Sequence, residues 1–169
     1  YLIWSGIGDG SGTNLNLNGN IFTPDNIHLA NVNPPTWAPC YYFSAIKDIT
    51  NYVQNSGNGI YQVSNFDLNP IIGLYCSSQI YYSGWNIVVV YSNPTLPNKQ
   101  LNIYDGFKLA YLSVVNNVPY TIPISNLNVT STVGAKMTYI AYNGSTNAYS
   151  GESVKINNNT LSNAQNPPN

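Results

Sequence analysis

Gly84-Trp85-Asn86-Ile87-Val88-Val89-Val90-Tyr91-Ser92 is almost continuous in hydrophobicity, with no polar side chain between Asn86 and Ser92 apart from the Tyr91 hydroxyl. A short apolar run without alternation predicts a strand buried on both faces or set in the middle of a sheet. Trp85, Ile87, Val88, Val89, Val90 and Tyr91 are therefore the expected core strand. Asn93-Pro94 and Pro97 end it, because proline has no N–H to give a ladder.

Downstream, Leu101–Tyr104 reads as a strand closed by Asp105-Gly106, and Phe107–Val115, Tyr120–Ile124, Lys136–Tyr142 and Ser153–Ile156 follow. Leu161–Asn169, with Pro167-Pro168, reads as an extended tail. Upstream, Ile71–Cys76 leads into the valine run, and Gly59–Phe66 alternates polar and apolar side chains. Asp48–Val53 is the one candidate for a helical turn, after a long aromatic strand over Trp37–Ile46. Asn33-Pro34-Pro35 is a rigid breaker before it. Leu15 and Leu17 alternate with asparagine, as a strand with one buried face requires, and Gly19-Asn20 turns the chain. Ile21–Thr23 and Ile27–Ala30 are short strands, and Tyr1–Trp4 opens the chain as another. Short strands punctuated every ten residues or so by Gly, Pro and Asn predict an all-β fold. The expectation is one domain over residues 1–169, a two-sheet antiparallel β-sandwich of ten or more strands, jelly-roll-like or Ig-like in layering.

Of the 169 residues, 43% are hydrophobic, enough for a packed core, but only 7% are charged against roughly a quarter in ordinary soluble domains. All five basic groups are lysines (47, 99, 108, 136 and 155), and the net charge is −1. Nucleic acid and anionic lipid are excluded as partners on that ground, since both need a basic surface. Asparagine, hydroxyl groups and 15 tyrosines keep the surface wet instead. Such a surface barely changes its charge with pH, which points to a harsh or acidic exterior. The chain begins at Tyr1 with no basic and apolar leader, as expected of a secreted chain after its signal peptide is removed. The longest apolar run is far short of the roughly 20 residues that span a bilayer, so no membrane span is expected.

Few residues offer chemistry. Asn128-Val129-Thr130, Asn143-Gly144-Ser145 and Asn158-Asn159-Thr160 are N-glycosylation sequons, making Asn128, Asn143 and Asn158 the expected glycan carriers. Cys40 and Cys76 are too far apart for a CxxC site. They form either a disulfide or two buried thiols, and an oxidising exterior favours the disulfide. His28 lacks a nearby nucleophile and acid pattern for a triad, and the spacing of Asp48 and Asp67 does not suggest glycosidase acids. Asp9 with Asp25 or Asp67 is too poor a set for calcium, and Asp105-Gly106 reads as a turn. No cofactor and no enzymatic activity are expected.

Several phrases occur together and in order: Tyr1-Leu2-Ile3-Trp4-Ser5-Gly6-Ile7-Gly8-Asp9-Gly10, Asp48-Ile49-Thr50, Gly59-Ile60-Tyr61-Gln62-Val63, and Gly84–Tyr91 with Pro94, Leu96-Pro97 and Asp105-Gly106. Gly151-Glu152-Ser153 and Leu161–Pro167 complete the set. Over most of its length the chain resembles a family of secreted β-sandwich modules on bacterial and archaeal cell surfaces. Its charge-poor, sequon-bearing composition looks most like the archaeal thread-filament subunits. The resemblance implies an extracellular, glycosylated protein that joins copies of itself head to tail, each completing its neighbour's sandwich with a donated strand. Covalent isopeptide links between subunits can reinforce such a joint. The sequence departs from the bacterial members in carrying Cys40 and Cys76, in having Lys47 and Lys99 where they have Arg, and in showing no repeat or anchor.

Two readings of Tyr1, Leu2, Ile3 and Trp4 follow: the first strand of the chain's own sandwich, or a strand donated to the next subunit. For an isopeptide bond, Lys47 beside Asp48 and Lys136 in an apolar stretch are the candidates. The expected function is a structural filament subunit with a role in adhesion or biofilm. The alternative is a monomeric lectin-like adhesin that binds sugars on exposed aromatics such as Trp4, Trp37 or Tyr81-Tyr82.

Overall fold

Leu2 and Trp4 are wholly buried and point to the same side of a strand, as residues two apart must. That strand, β1 (Leu2–Ile7), organises the computed structural model of the chain. The structure describes residues 1–32, 40–76, 81–109, 120–129, 133–142 and 154–161. The chain divides into two compact units, Tyr1–Tyr139 and Ile140–Asn169.

In the first unit β1 lies between β5 (Cys40–Lys47) and β7 (Ser83–Ile87), with β4 (Asn26–Val32) outside β5. All pairings are antiparallel, with Trp4 opposite Ala45 on one side and Trp85 on the other. A second sheet has the order β3 (Asn20–Phe22), β2 (Leu15–Leu17), β6 (Val63–Ser64). Leu15 and Leu17 from this sheet join Leu2, Trp4, Phe43, Ala45 and Ile49 in one buried cluster. The opposite face of the β1 sheet carries Ile7, Val32, Cys40 and Tyr42. These are covered by Leu68, by Ile71 and Ile72, and by Phe107 and Leu109. Covered on both faces and paired on both edges, β1 is the centre of the first unit. In the second unit β8 (Val154–Ile156) and β9 (Asn159–Leu161) form a hairpin.

The fold is thus mostly strands in antiparallel sheets with few helices. Nine strands in three sheets lie among the described residues, fewer than the ten or more expected from sequence. Leu101–Tyr104, Tyr120–Ile124 and Lys136–Tyr142 were expected as strands but carry no ladder.

Several differences have local causes. Ser5-Gly6 does not end the first strand. The Ser5 hydroxyl is satisfied inside the sheet, donating to the Phe43 carbonyl at 2.6 Å and lying 3.0 Å from the Tyr82 hydroxyl. Gly6 continues the strand because a side chain there would press on the Phe66 ring and the Tyr82 carbonyl, at 3.2 and 3.3 Å. The turn after β2 falls at Asn18-Gly19, one residue early, because both adopt positive φ (49° and 84°). That pair suits a two-residue hairpin. The helical turn expected near Asp48–Val53 is α1 (Thr50–Ser56). Asp48 precedes it, accepting from the Thr50 N–H at 2.8 Å. Ile71–Cys76 belongs to a helix, α2 (Asn69–Cys76), rather than to the strand series. Asp67 accepts the Asn69 N–H at 2.9 Å, and Pro70 occupies the first turn, where a missing N–H costs nothing.

The largest correction concerns the valine run. Strand β7 stops at Ile87, and Trp85, Val89, Val90 and Tyr91 are exposed, Tyr91 by 75%. Only Ile87 packs against the buried cluster. The place buried on both faces is taken by β1, and β7 holds an outer position in the described sheet. Hydrophobic content alone does not decide which strand is central; the order of strands does.

Candidate assembly surface

From Trp85 onward, apolar side chains remain uncovered in the first unit. Tyr1 and Val88 exchange both backbone hydrogen bonds (2.8 and 2.9 Å), carrying the β1–β7 pairing one step past the ladder. Val89 and Val90 follow directly, 59% and 54% exposed. Further along, Leu101, Ile103 and Tyr104 are exposed, and Tyr120, Ile122 and Ile124 alternate through a second uncovered stretch. Monomeric proteins seldom leave so many large apolar groups in water, and such surfaces mark contacts with other molecules. Sequence patterning foresaw these segments as apolar strands but not as surface.

The N-terminal donor candidates sit elsewhere than a donated strand requires. Leu2 and Trp4 are fully buried in their own chain, and the Trp4 indole N–H donates to the Thr13 carbonyl at 2.8 Å. This is the first-strand reading of Tyr1–Trp4, and it corrects the donor reading: side chains already packed and paired at home have no free edge to offer. It also removes Trp4 as a sugar platform. Of the other proposed platforms, Tyr82 stacks on Tyr42 (centroids 5.8 Å apart, 8° between planes) and its hydroxyl meets Ser5. Tyr81 is exposed, and Trp37 lies outside the described residues.

The charged groups are mostly tied up locally. Lys47 pairs with Asp25, whose second oxygen accepts the Asp48 N–H at 2.8 Å. The hydrogen bond from Lys47 is the main cause holding the Asp25 carboxyl below its usual value. Asp48 is lowered chiefly by the Thr50 hydroxyl, and Asp9 by the Ser11 hydroxyl. An isopeptide bond needs a Lys amine beside an Asn or Asp side chain, with a carboxyl group nearby and little water. Lys47 meets its carboxylate at the surface instead, and Lys136 is exposed, so neither candidate has that environment. Asp25, Lys47, Asp48 and Thr50, with Phe22 and Tyr52, line an open cleft of about 670 Å³.

One long-range polar tie was invisible in sequence. His28 on β4 contacts Asp105 at 2.7 Å, and the Asn26 amide donates to the same carboxylate oxygen at 3.4 Å. The tie fastens the 101–109 segment over β4, beside Phe107 and Leu109 on the core. Asp105-Gly106 therefore does more than turn the chain.

Among the described residues, no three His, Cys, Asp or Glu side chains gather as a metal site. No described helix is long and apolar enough to cross a membrane. Cys40 is buried in the cluster against which Ile71 and Ile72 of α2 pack. The Cys76 side chain lies outside the described residues, and with it the disulfide. Asn128 is exposed. Asn158 is exposed at the tip of the β8–β9 hairpin, where Asn157 and Asn158 take positive φ (46° and 68°). Asn143 lies outside the described residues, as does the tail beyond Leu161.

No family model, curated protein or solved structure matches this chain. The functional reading therefore rests on the residues, their placement and the resemblance in sequence pattern.

Proposed function

We propose that this protein is a structural subunit of an extracellular filament on an archaeal cell surface, built from copies of itself and serving adhesion or biofilm. The observation that carries the reading is the uncovered apolar run Trp85, Val89, Val90 and Tyr91 at the outer strand of the sheet. An extended segment of a neighbouring copy, added beside this run, would bury these side chains and extend the sheets of the first unit into a fuller β-sandwich. The uncovered Tyr120, Ile122 and Ile124 support the same reading, because a monomer gains nothing by exposing them. Charge poverty supports it too: neutral amides and hydroxyls pack between subunits without desolvating ions. Glycans on Asn128, Asn143 and Asn158 and a Cys40–Cys76 disulfide belong to this proposal, as does the absence of catalysis. The lectin-like alternative draws less support, since Trp4 is buried and Tyr82 is engaged.

Negative-stain microscopy of the purified chain tests the proposal. Fibres of constant width are expected, and Val89→Asp with Tyr91→Asp should abolish them while leaving the thermal midpoint of the protomer within a few degrees. Dispersed particles from the unaltered chain, or fibres undisturbed by the double variant, would sink it.

A further inference from the structure

Two Asn-Gly steps in the described residues, Asn18-Gly19 and Asn58-Gly59, have opposite surroundings. Asn18 is held on every side. Its side-chain N–H donates to the Ile60 carbonyl at 3.0 Å, and its side-chain oxygen accepts the Gln62 N–H at 2.6 Å. Its own backbone N–H donates to the Gln62 carbonyl at 2.9 Å, and the Gly19 N–H donates to the Asn16 side chain at 2.8 Å. Asn58-Gly59 lies in the exposed connection between α1 and β6. Its flanks are anchored: the Gly57 N–H donates to the Val53 carbonyl at 2.9 Å, and the Tyr61 hydroxyl to the Gly57 carbonyl at 2.7 Å. Asn58 and Gly59 themselves make no hydrogen bond among the described residues, and space around Gly59 is open.

We propose that Asn58 is a site of spontaneous deamidation and that the fold protects Asn18 from the same reaction. The Gly59 backbone nitrogen, after losing its proton to base, attacks the Asn58 side-chain carbonyl carbon. The bond from that carbon to the amide nitrogen breaks, and ammonia leaves carrying the proton. Water then opens the five-membered succinimide at either carbonyl, giving aspartate or isoaspartate. Glycine favours the attack because it has no Cβ to crowd the nitrogen or restrict the backbone. At Asn18 the attacking N–H and the amide under attack are both committed to other partners, and the ring can close only after those bonds break. Three or four hydrogen bonds lost together slow the step on the order of a hundredfold. Each conversion at Asn58 adds a carboxylate to a chain whose net charge is only −1. Because the attacking nitrogen must first lose a proton, an acidic exterior slows the reaction. The inference goes beyond the filament proposal and holds for the isolated chain.

The test is to incubate the native protein at mildly alkaline pH and follow chymotryptic peptides by tandem mass spectrometry. The mass gain of replacing an amide by an acid is expected at Asn58 in the Val53–Tyr61 peptide. Asn18, in the Ser5–Phe22 peptide, should lag on the order of a hundredfold. In strong denaturant the two should convert at similar rates, and Gly59→Ala should slow Asn58 alone. The proposal is overturned if Asn18 keeps pace in the folded chain, if Asn58 survives conditions that convert it when unfolded, or if Gly59→Ala changes nothing.

Discussion

Replacing Trp4 by Phe distinguishes a strand that belongs to its own sheet from one made for a neighbour. Trp4 is wholly buried in the cluster with Leu2, Leu15, Leu17 and Phe43, and its indole N–H is bonded to the Thr13 carbonyl. Phenylalanine keeps an aromatic ring in place but removes the donor. A buried carbonyl left without its partner costs about 1–3 kcal/mol. The lost part of the ring leaves a space of about 40 Å³, worth about 1 kcal/mol at roughly 24 cal/mol per Å³. The sum is a loss of about 2–4 kcal/mol. With a urea slope near 2 kcal/mol/M, the unfolding midpoint should fall by about 1–2 M. The assay is urea unfolding followed by far-ultraviolet circular dichroism at several protein concentrations. If β1 belongs to its own sheet, the shift is the same at every concentration. A protomer whose midpoint does not move, with only the assembled form weakened, would refute the reasoning and return Tyr1–Trp4 to the donor role.

Acid stability follows from the carboxylates. Asp9, Asp25 and Asp48 are all lowered in the folded chain, by hydrogen bonds from Ser11, Lys47 and Thr50 respectively as the leading causes. A lowered carboxyl contributes stability that is present above its unfolded value near 3.9 and is lost as pH falls through the lower folded value. The thermal midpoint should therefore hold steady from neutrality to about pH 5 and decline only below it; a decline beginning at about pH 6 or above would contradict this. His28→Ala should cost at most about 1 kcal/mol globally, because the His28–Asp105 pair is partly exposed. The same variant should speed amide hydrogen exchange across the 101–109 segment, and unchanged exchange there would show that the tie does not fasten it.

What the linear pattern decided is the local chemistry of the chain. Leu15 and Leu17, alternating with asparagine, announced a strand with one buried face, and both are fully buried. Asp48–Val53 stood out as the one candidate for a helical turn, and α1 covers Thr50–Ser56. The scarcity of charge likewise needs no fold to be read. Tertiary structure decided which apolar strands are covered. The valine run is more hydrophobic than β1, whose Ser5 and Gly6 look like a terminator, yet β1 is the buried centre. Burial depends on having neighbours on both edges and both faces, and no residue carries that information alone. The same is true of His28 meeting Asp105 from 77 positions away, and of Asn18 locked while Asn58 is free. Each of those outcomes is a long-range pairing, and a periodic pattern reports only what a segment prefers, not which segment comes to lie beside it.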